Sequence, residues 1–384
     1  MSPAKSRLAN TALVLLSLAV TYLAASFFLF RVALPYLPLN LRPHFPDLAE
    51  VFAQTSKGGA GPHNYIALLG DSYAEGQGDG LFDAQGDRAK LQHSAHALHR
   101  LTGRDVISLG IGGAGSVQAM VRQPTRILRD SCFLYPPLDP PRQILVYFYE
   151  GNDLDENGYI ANLVAQNGML RREDLARYIA QHDAVPPRWR CFTDLTDTGL
   201  KMARFLATGP DSFENLRRPS AHNHVLAGGA AHPAPTLQKP PVELGPQVAD
   251  ASLMVFDVSL EWLRKTFAAA VTVVYLPSPA AIYRHADAVV DVYWRWPLME
   301  VQPVSAADIY AASQRTCELI RTLTLARGAR FIDMRPALRA AAATTVIHGP
   351  RDWNHFNDTG YRVLGETLAR TIDEAASTGC VHWN

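Results

Sequence analysis

Short, almost continuously apolar segments alternate with helical patterns over most of this chain. Strands that are apolar at nearly every position are typical of a parallel sheet whose two faces are both covered by helices. Parallel strands also need long crossover connections, which the intervening helical patterns supply. We therefore predict a three-layer α/β/α domain with a parallel sheet over residues 63–376. Its strands are expected at 64–69, 105–109, 143–149, 270–276 and 329–333.

The interval 154–250 breaks this alternation, because no strand is predicted within it. It contains helical pieces at 172–181 and 198–207, followed by a segment at 226–246 that is rich in Ala, Gly and Pro. Long irregular segments inside compact domains tend to be lids or insertions. We therefore predict an insertion at about 155–250, beside the functional site of the domain. Helices outside it are expected at 253–268, 306–326 and 359–375.

The N-terminus carries an apolar run at 9–29, preceded by Lys5 and Arg7 and free of charge until Arg31. A bilayer span needs ~20 such residues, so the length fits. A cleaved signal peptide has a shorter apolar core, and an amphipathic core helix would show a polar face. We predict an uncleaved transmembrane signal anchor.

The charge before this run places the N-terminus in the cytoplasm and the rest of the chain on the extracytoplasmic side, periplasmic or extracellular. The anchor and its cytoplasmic stub are assigned to residues 1–33. A tether rich in Pro and Gly is expected at 34–62, and a tail at 377–384.

The composition suits a globular domain with a sizeable core, because 48% of the 384 residues are hydrophobic and 19% are charged. The formal net charge is +0 and no basic stripe stands out, so no nucleic-acid partner is predicted. An exported domain could oxidise its cysteines. Three full pairings of the four are open. They are Cys132, Cys191, Cys317 and Cys380.

Polar blocks follow the first three predicted strands, and a further block lies near the C-terminus. They are Gly70-Asp71-Ser72, the glycine cluster at 110–115, Gly151-Asn152-Asp153, and Asp352-Trp353-Asn354-His355. Open α/β sheets bind ligands at the carboxyl ends of their strands. We therefore expect the four blocks to converge on one edge of the sheet.

The chemistry of these blocks is that of acyl transfer. Ser72 needs a base to become a nucleophile, and His355 can supply it. Asp352, three residues earlier, can fix the tautomer of that histidine. The developing oxyanion needs N–H donors. The candidates are the backbone N–H groups of Ser72 and Gly113 and the side-chain amide of Asn152, with Gly112 and Gly115 as alternatives to Gly113.

Taken in this order, the blocks resemble those of the SGNH (GDSL) hydrolase superfamily. The resemblance covers residues 64–153 and 328–375 and leaves out the insertion. It implies a flavodoxin-like α/β/α sandwich and a serine hydrolase. By matching position, the resemblance implies that this chain has the family's functional residues. The family's Ser, Gly, Asn and His correspond to Ser72, Gly113, Asn152 and His355, and its triad Asp corresponds to Asp352. One departure is Ser108, which stands where the family frequently has Asn.

Other chemistries are less well supported by the sequence. No Gly-x-Ser-x-Gly elbow occurs, and the Gly-x-Gly-x-x-Gly match at 110–115 follows the second strand rather than the first. Histidines at helical spacing (His93, His96 and His99) are better explained by a helix face than by zinc ligation, and the acidic cluster at 153–156 by a solvated loop. No metal site and no cofactor are predicted.

The sequence thus predicts an esterase that cleaves an acyl ester of a small molecule or a glycan through an acyl-enzyme. An O-acetyl group of an envelope glycan is one candidate substrate. An extracytoplasmic O-acyltransferase that modifies a polysaccharide would use the same residues. The alternative from another class is a non-catalytic glycan-binding protein that has kept the fold.

Overall fold

A computed structural model describes residues 3–34, 47–84, 91–129, 134–136, 138–165, 169–183, 188–208, 220, 222–241, 246–293, 300–374 and 376–382. Its strands are β1 (Ile66–Leu69), β2 (Val106–Ser108), β3 (Gln143–Tyr149), β4 (His224–Ala227), β5 (Ala230–Pro233), β6 (Leu237–Gln238), β7 (Ala270–Leu276), β8 (Arg284–His285), β9 (Val289–Tyr293), β10 (Val301–Ser305) and β11 (Arg330–Asp333).

The α-helices in the same residues include short single turns beside the strands. They are α1 (Pro3–Phe27), α2 (Asp47–Ala53), α3 (Ser72–Glu75), α4 (Asp79–Asp83), α5 (Ser94–Thr102), α6 (Gln123–Leu128), α7 (Asp153–Val164), α8 (Arg172–His182), α9 (Asp194–Thr208), α10 (Pro246–Thr266), α11 (Pro279–Ile282), α12 (Ala306–Ala326), α13 (Arg335–Thr344) and α14 (Asp358–Thr371).

The main sheet has the order β2-β1-β3-β7-β11, and every neighbouring pair in it is parallel. These are the five strands predicted from the sequence, so the α/β sandwich with a parallel sheet is confirmed. The order is that of flavodoxin-like doubly wound sheets, in which the strand order reverses beside the first strand. The carboxyl ends of β1 and β3 therefore lie next to each other, at the centre of the sheet.

Both faces of this sheet are buried, which is why the strands are apolar at most positions. In β1, Ala67 and Leu69 pack into the core cluster that contains the apolar side of α10 and buried residues of α12. Ile66 and Leu68 point the other way, into the cluster formed with α5, α13 and α14. Each fully buried leucine contributes roughly 2 kcal/mol through the removal of apolar surface from water.

The region from 154 to 250 differs from the prediction, because it contains β4, β5 and β6. β4 and β5 form a hairpin whose two loop residues, Gly228 and Gly229, both have positive φ (60° and 78°). A two-residue turn of this kind requires residues that tolerate positive φ, and glycine does so without strain. The glycine pair is thus a tight turn between strands that are only partly buried, a pattern that a search for continuous apolar runs does not detect.

The helices of this region match the predicted pieces more closely, since α8 and α9 cover 172–182 and 194–208. The end of the region lies against the loop that follows β3. The side chain of Gln238 donates to Gly151 O at 3.0 Å and accepts from Tyr149 Oη at 2.9 Å. Residues 166–168, 184–187, 209–219, 221 and 242–245 lie outside the described residues.

Part of the predicted tether belongs to the folded domain. Residues Ala49, Val51 and Phe52 of α2 are buried in the core. The Gln54 amide then pairs with both backbone groups of Ser108, donating at 2.7 Å and accepting at 2.8 Å. β2 is an edge strand of the main sheet, so these bonds cover backbone groups that would otherwise be unpaired. Residues 35–46 of the tether lie outside the described residues.

Among the described residues, one helical segment, Arg7–Ala33, is long and apolar enough to cross a membrane. It comprises most of α1 and the π-helical turn Phe28–Ala33 that continues it. Leu13, Leu15 and Leu16 are all more than 60% exposed, so this part of the helix has no packing partner among the residues that the structure describes.

The C-terminal tail is attached to the domain rather than free. A disulfide joins Cys317 of α12 to Cys380. Thr378 N donates to Phe331 O at 3.0 Å, and Asp333 N donates to Thr378 Oγ1 at 2.6 Å, so the tail lies along the outer edge of β11. Cys191 is also disulfide-bonded, whereas Cys132 lies outside the described residues.

Removing the Cys317–Cys380 disulfide should lower the free energy of unfolding. The bond closes a segment of 63 residues, for which the chain-entropy relation gives about 4 kcal/mol. We expect the double variant Cys317→Ala/Cys380→Ala to unfold at a clearly lower urea concentration than the parent chain in the same detergent. Equal midpoints would contradict a stabilising role for this bond.

Candidate active site

Ser72 lies at the carboxyl end of β1, as the first residue of α3. The strand turns into this helix at Gly70, where φ is 148° and an added Cβ would come within 2.8 Å of Tyr147 O on the neighbouring strand. Asp71 caps the helix, accepting from Tyr73 N at 2.9 Å. The Asp-Ser pair is therefore both a helix N-cap and the position of the candidate nucleophile.

His355 and Asp352 lie in the loop between α13 and α14, and this loop reaches Ser72. His355 Nε2 is 2.8 Å from Ser72 Oγ, and His355 Nδ1 is 2.6 Å from Asp352 Oδ2. A backbone bridge between His348 and Phe356 closes the base of the loop. The three side chains thus form one continuous hydrogen-bonded chain, although 283 residues separate the serine from the histidine.

Asp79, which the sequence analysis did not single out, holds the Asp352 end of this loop in place. Its carboxylate accepts from the backbone N–H of Arg351 at 3.0 Å and of Asp352 at 2.8 Å. Asp352 in turn accepts from Asn354 N at 2.9 Å through Oδ1, which leaves Oδ2 for His355. No motif marks Asp79 in the sequence. It could be noticed only as an acidic residue shortly after the serine.

Two tyrosines bond to Asn354, the residue before the histidine, and one of them also contacts the histidine ring; the sequence analysis assigned neither a place at the site. The Tyr73 ring lies 5.3 Å from the His355 ring, and its hydroxyl donates to Asn354 O at 2.5 Å. The Tyr293 hydroxyl, at the end of β9, donates to the side chain of Asn354. The small sheet of β6, β9 and β10 therefore borders the loop that carries Asp352 and His355.

The carboxylate beside His355 sets the charge balance of the site. Burial opposes the charged forms of both residues, but their mutual attraction and hydrogen bond outweigh it. The result is that the pKa of His355 is raised above its ordinary value of 6.5, while the pKa of Asp352 is lowered. The imidazolium that forms when His355 takes a proton is therefore stabilised by Asp352.

Two buried carboxyl groups, those of Asp71 and Asp153, lie close to the serine. Burial raises the pKa of Asp71 to about 6, against hydrogen bonds from Tyr73 N–H and the Asn152 side chain that lower it. Burial and the neighbouring Asp71 raise the pKa of Asp153 well above its usual range. Asn152 is therefore beside Asp71, as expected of the block that follows β3, and its Oδ1 is buried without a hydrogen-bond partner among the described residues.

In the glycine cluster after β2, Gly112 and Gly115 lie against neighbouring side chains, whereas Gly113 does not. A Cβ on Gly112 would come within 2.4 Å of the Gln77 side chain, and one on Gly115 within 2.8 Å of Glu156. Gly113 has φ of 70° and open space where its Cβ would be. No hydrogen bond in the described part of the chain joins it to Ser72 or His355.

The histidines at helical spacing, His93, His96 and His99, take part in hydrogen bonds within the chain. His93 caps α5, His96 Nε2 is 3.0 Å from Thr55 Oγ1, and His99 Nδ1 is 2.6 Å from Arg104 O. Within the described ranges, one group of three potential ligands lies close together, Cys317, Asp333 and Cys380. Its two sulfurs are consumed by the disulfide, which leaves a single carboxylate.

Comparison with known proteins gives structural likeness only. No protein-family model matches this chain, and no curated protein matches it in sequence. Solved structures that are similar include an extracellular lipase from Streptomyces rimosus, at 15% identity over 79% of this chain and 98% of that chain, with a TM-score of 0.39. An acetyl-xylooligosaccharide esterase mutant from Geobacillus stearmophilus shares 10% identity over 83% of this chain and 98% of that chain, with a TM-score of 0.36. Phospholipase A1 from Streptomyces albidoflavus shares 13% identity over 79% of this chain and 98% of that chain, also with a TM-score of 0.36.

Proposed function

We propose that this chain is an ester hydrolase of the SGNH type, with Ser72 as nucleophile, His355 as general base and Asp352 as the triad acid. One observation carries the proposal, namely the hydrogen-bonded chain from Ser72 Oγ through His355 to Asp352, at 2.8 and 2.6 Å. Nucleophile, base and orienting carboxylate within hydrogen-bond reach are the geometric requirement for covalent acyl transfer.

In the acylation step, Ser72 Oγ attacks the ester carbonyl carbon while its proton passes to His355 Nε2. Asp352 keeps the other proton on Nδ1 and stabilises the resulting imidazolium. The tetrahedral intermediate collapses when the bond to the alcohol oxygen breaks, and His355 gives its proton to the departing alcohol. Water then attacks the acyl-enzyme with His355 again as base, which releases the acid and restores Ser72.

The oxyanion of both intermediates would be bound by the backbone N–H groups of Ser72 and Gly113 and by the Asn152 amide. Gly113 is favoured over Gly112 and Gly115 because it faces open space, whereas the other two pack against side chains. The Asn152 amide has two N–H groups, so one can bond to Asp71 and leave the other for the substrate. Each such donor is worth roughly 3 kcal/mol of the barrier.

We further propose that the helical segment Arg7–Ala33 spans the membrane and holds the catalytic domain on the extracytoplasmic side. Its length and apolar surface support the span. The disulfide-bonded state of the described cysteines, Cys191, Cys317 and Cys380, supports an oxidising compartment. The substrate would then be an ester in the envelope or outside the cell, such as an O-acetylated glycan.

The same triad would also serve an O-acyltransferase, since only the second nucleophile differs. Incubation of the purified chain with an acyl donor and a glycan acceptor distinguishes the two activities. Free acid as the product, with the acceptor unmodified, indicates hydrolysis. Acylated acceptor indicates transfer.

Ser72→Ala should abolish hydrolysis of a short acyl ester, because no other group takes the covalent role. We expect a loss of roughly 10⁴- to 10⁶-fold in kcat, together with loss of labelling by a fluorophosphonate probe. The matched control is Ser259→Ala, which removes a buried hydroxyl that has no hydrogen-bond partner in the described part of the chain and should leave activity unchanged. Labelling or hydrolysis that persists in Ser72→Ala would refute the assignment of the nucleophile.

The acidic limb of kcat/KM should report the pKa of His355. The base must be neutral, so activity falls as the pH drops through this pKa, which lies above 6.5. Asp352→Asn removes the charge that raises the pKa and should move the limb to lower pH, with a loss of roughly 10⁴-fold in kcat. A limb that stays in place after this substitution would show that Asp352 does not act on His355.

A further inference from the structure

The exposed surface of α9 is divided into an apolar side and a charged side. Leu195 and Met202 face partly inward, whereas Leu200 and Leu206 are 65% and 78% exposed. Beside these two leucines the outer surface carries Thr196, Gly199, Ala203 and Ala207, none of which is charged. Asp197, Lys201 and Arg204 lie together on the adjoining side.

The apolar side of α9 adjoins the proposed membrane span. The Tyr22 hydroxyl of α1 donates to Phe192 O at 2.6 Å and lies 3.0 Å from Thr196 Oγ1, in the first turn of α9. Both helices also meet at Tyr135. Its ring packs on Phe30 with centroids 4.9 Å apart, and its hydroxyl donates to Asp194 at 2.5 Å. α9 is therefore held next to the outer third of the apolar helix.

The position of Tyr22 along the helix sets the depth of this contact. The apolar run from 9 to 29 is ~31 Å long at about 1.5 Å per residue, which matches a hydrocarbon core of ~30 Å. Tyr22 then lies ~10 Å inside the outer boundary of that core. If Tyr22 were instead placed at the boundary, only ~20 Å of apolar helix would remain below it, too little to span.

One face of this outer third packs on the domain and the other does not. Ser26, Phe30 and Leu34 are buried against the domain, whereas Phe27 and Phe28 are 41% and 62% exposed. Phenylalanines that are exposed in the outer third of the helix are stabilised by lipid around them. The domain packs on the opposite side of these same helical turns. The domain must therefore enter the lipid beside α1, and α9 is the part of it that α1 contacts there.

We propose that α9 is an interfacial helix whose apolar side, carrying Leu200 and Leu206, is immersed in the outer leaflet, with Lys201 and Arg204 at the level of the lipid headgroups. This inference rests on the proposed membrane span of α1. An amphipathic helix with leucines on one side and mainly basic charged residues on the adjoining side is the form that binds in this plane. The catalytic domain is then docked on the bilayer at two points, α1 and α9, rather than held at a distance by a flexible tether.

The test measures depth by electron paramagnetic resonance on the full chain in lipid nanodiscs. A nitroxide is attached to a single introduced cysteine, Leu200→Cys or Leu206→Cys, with the parent chain as the blank. Both positions are exposed, so the substitutions should not disturb the fold. Collision with oxygen, which concentrates in lipid, is compared with collision with a water-soluble nickel chelate. We expect an oxygen-to-nickel ratio several-fold higher at these two sites than at Leu319→Cys, a matched exposed leucine on α12.

A further site separates this inference from the membrane span itself. Leu15→Cys, in the middle of α1, should show the highest ratio. If Leu15→Cys is in lipid while Leu200→Cys and Leu206→Cys match Leu319→Cys, the span stands and the interfacial role of α9 is overturned. If Leu15→Cys also matches Leu319→Cys, both are overturned. A raised ratio at Lys201→Cys equal to that at Leu200→Cys would also contradict the proposed orientation of the helix.

Discussion

Burial of the parallel sheet on both faces is the constraint on which the rest of the structure depends. Because the strands are parallel, each connection crosses one face of the sheet, which its helix covers, and returns to the same end before the next strand begins. The loops after β1, β2 and β3 therefore share one edge. The reversal of strand order beside β1 places Ser72 next to the loop that carries Asn152, although the two residues are far apart in the sequence.

The loop with Asp352 and His355 comes from the end of the chain, and a few polar contacts align it with this edge. Asp79 is central among them, because one carboxylate accepts two successive backbone N–H groups of the loop. Tyr73 contributes from the other side, through its hydrogen bond to Asn354 O and its ring against His355. The candidate base is therefore held by residues that directly follow the candidate nucleophile. Geometry at the two ends of the hydrogen-bonded chain is set by one short segment, 71–79.

Local sequence pattern was sufficient for the strands of the main sheet, which the apolar runs predicted. The polar blocks after the first strand and near the C-terminus singled out Ser72 and His355, which the fold brings to 2.8 Å. Local pattern did not identify features that depend on a distant partner. Gln54 covers the edge of β2, but nothing near Gln54 indicates an edge strand. Asp79 is one acidic residue among many until the loop at 351–352 meets it. Gly228 and Gly229 resemble a flexible stretch until β4 and β5 are seen to pair.

The separation of 283 residues between Ser72 and His355 has a consequence in time as well as in space. In the proposed topology, with the N-terminal helix as anchor, Ser72 emerges from the membrane early, when only the first strands are available. Asp79 cannot yet meet its partners, and no histidine stands beside the hydroxyl. Ser72, the candidate nucleophile, therefore stays an ordinary alcohol until the last turns of the chain have emerged and α14 has packed on α5, a pair in direct contact in the finished fold. Under the proposed function and topology, partial chains stalled during export would therefore leave the esters around them uncleaved.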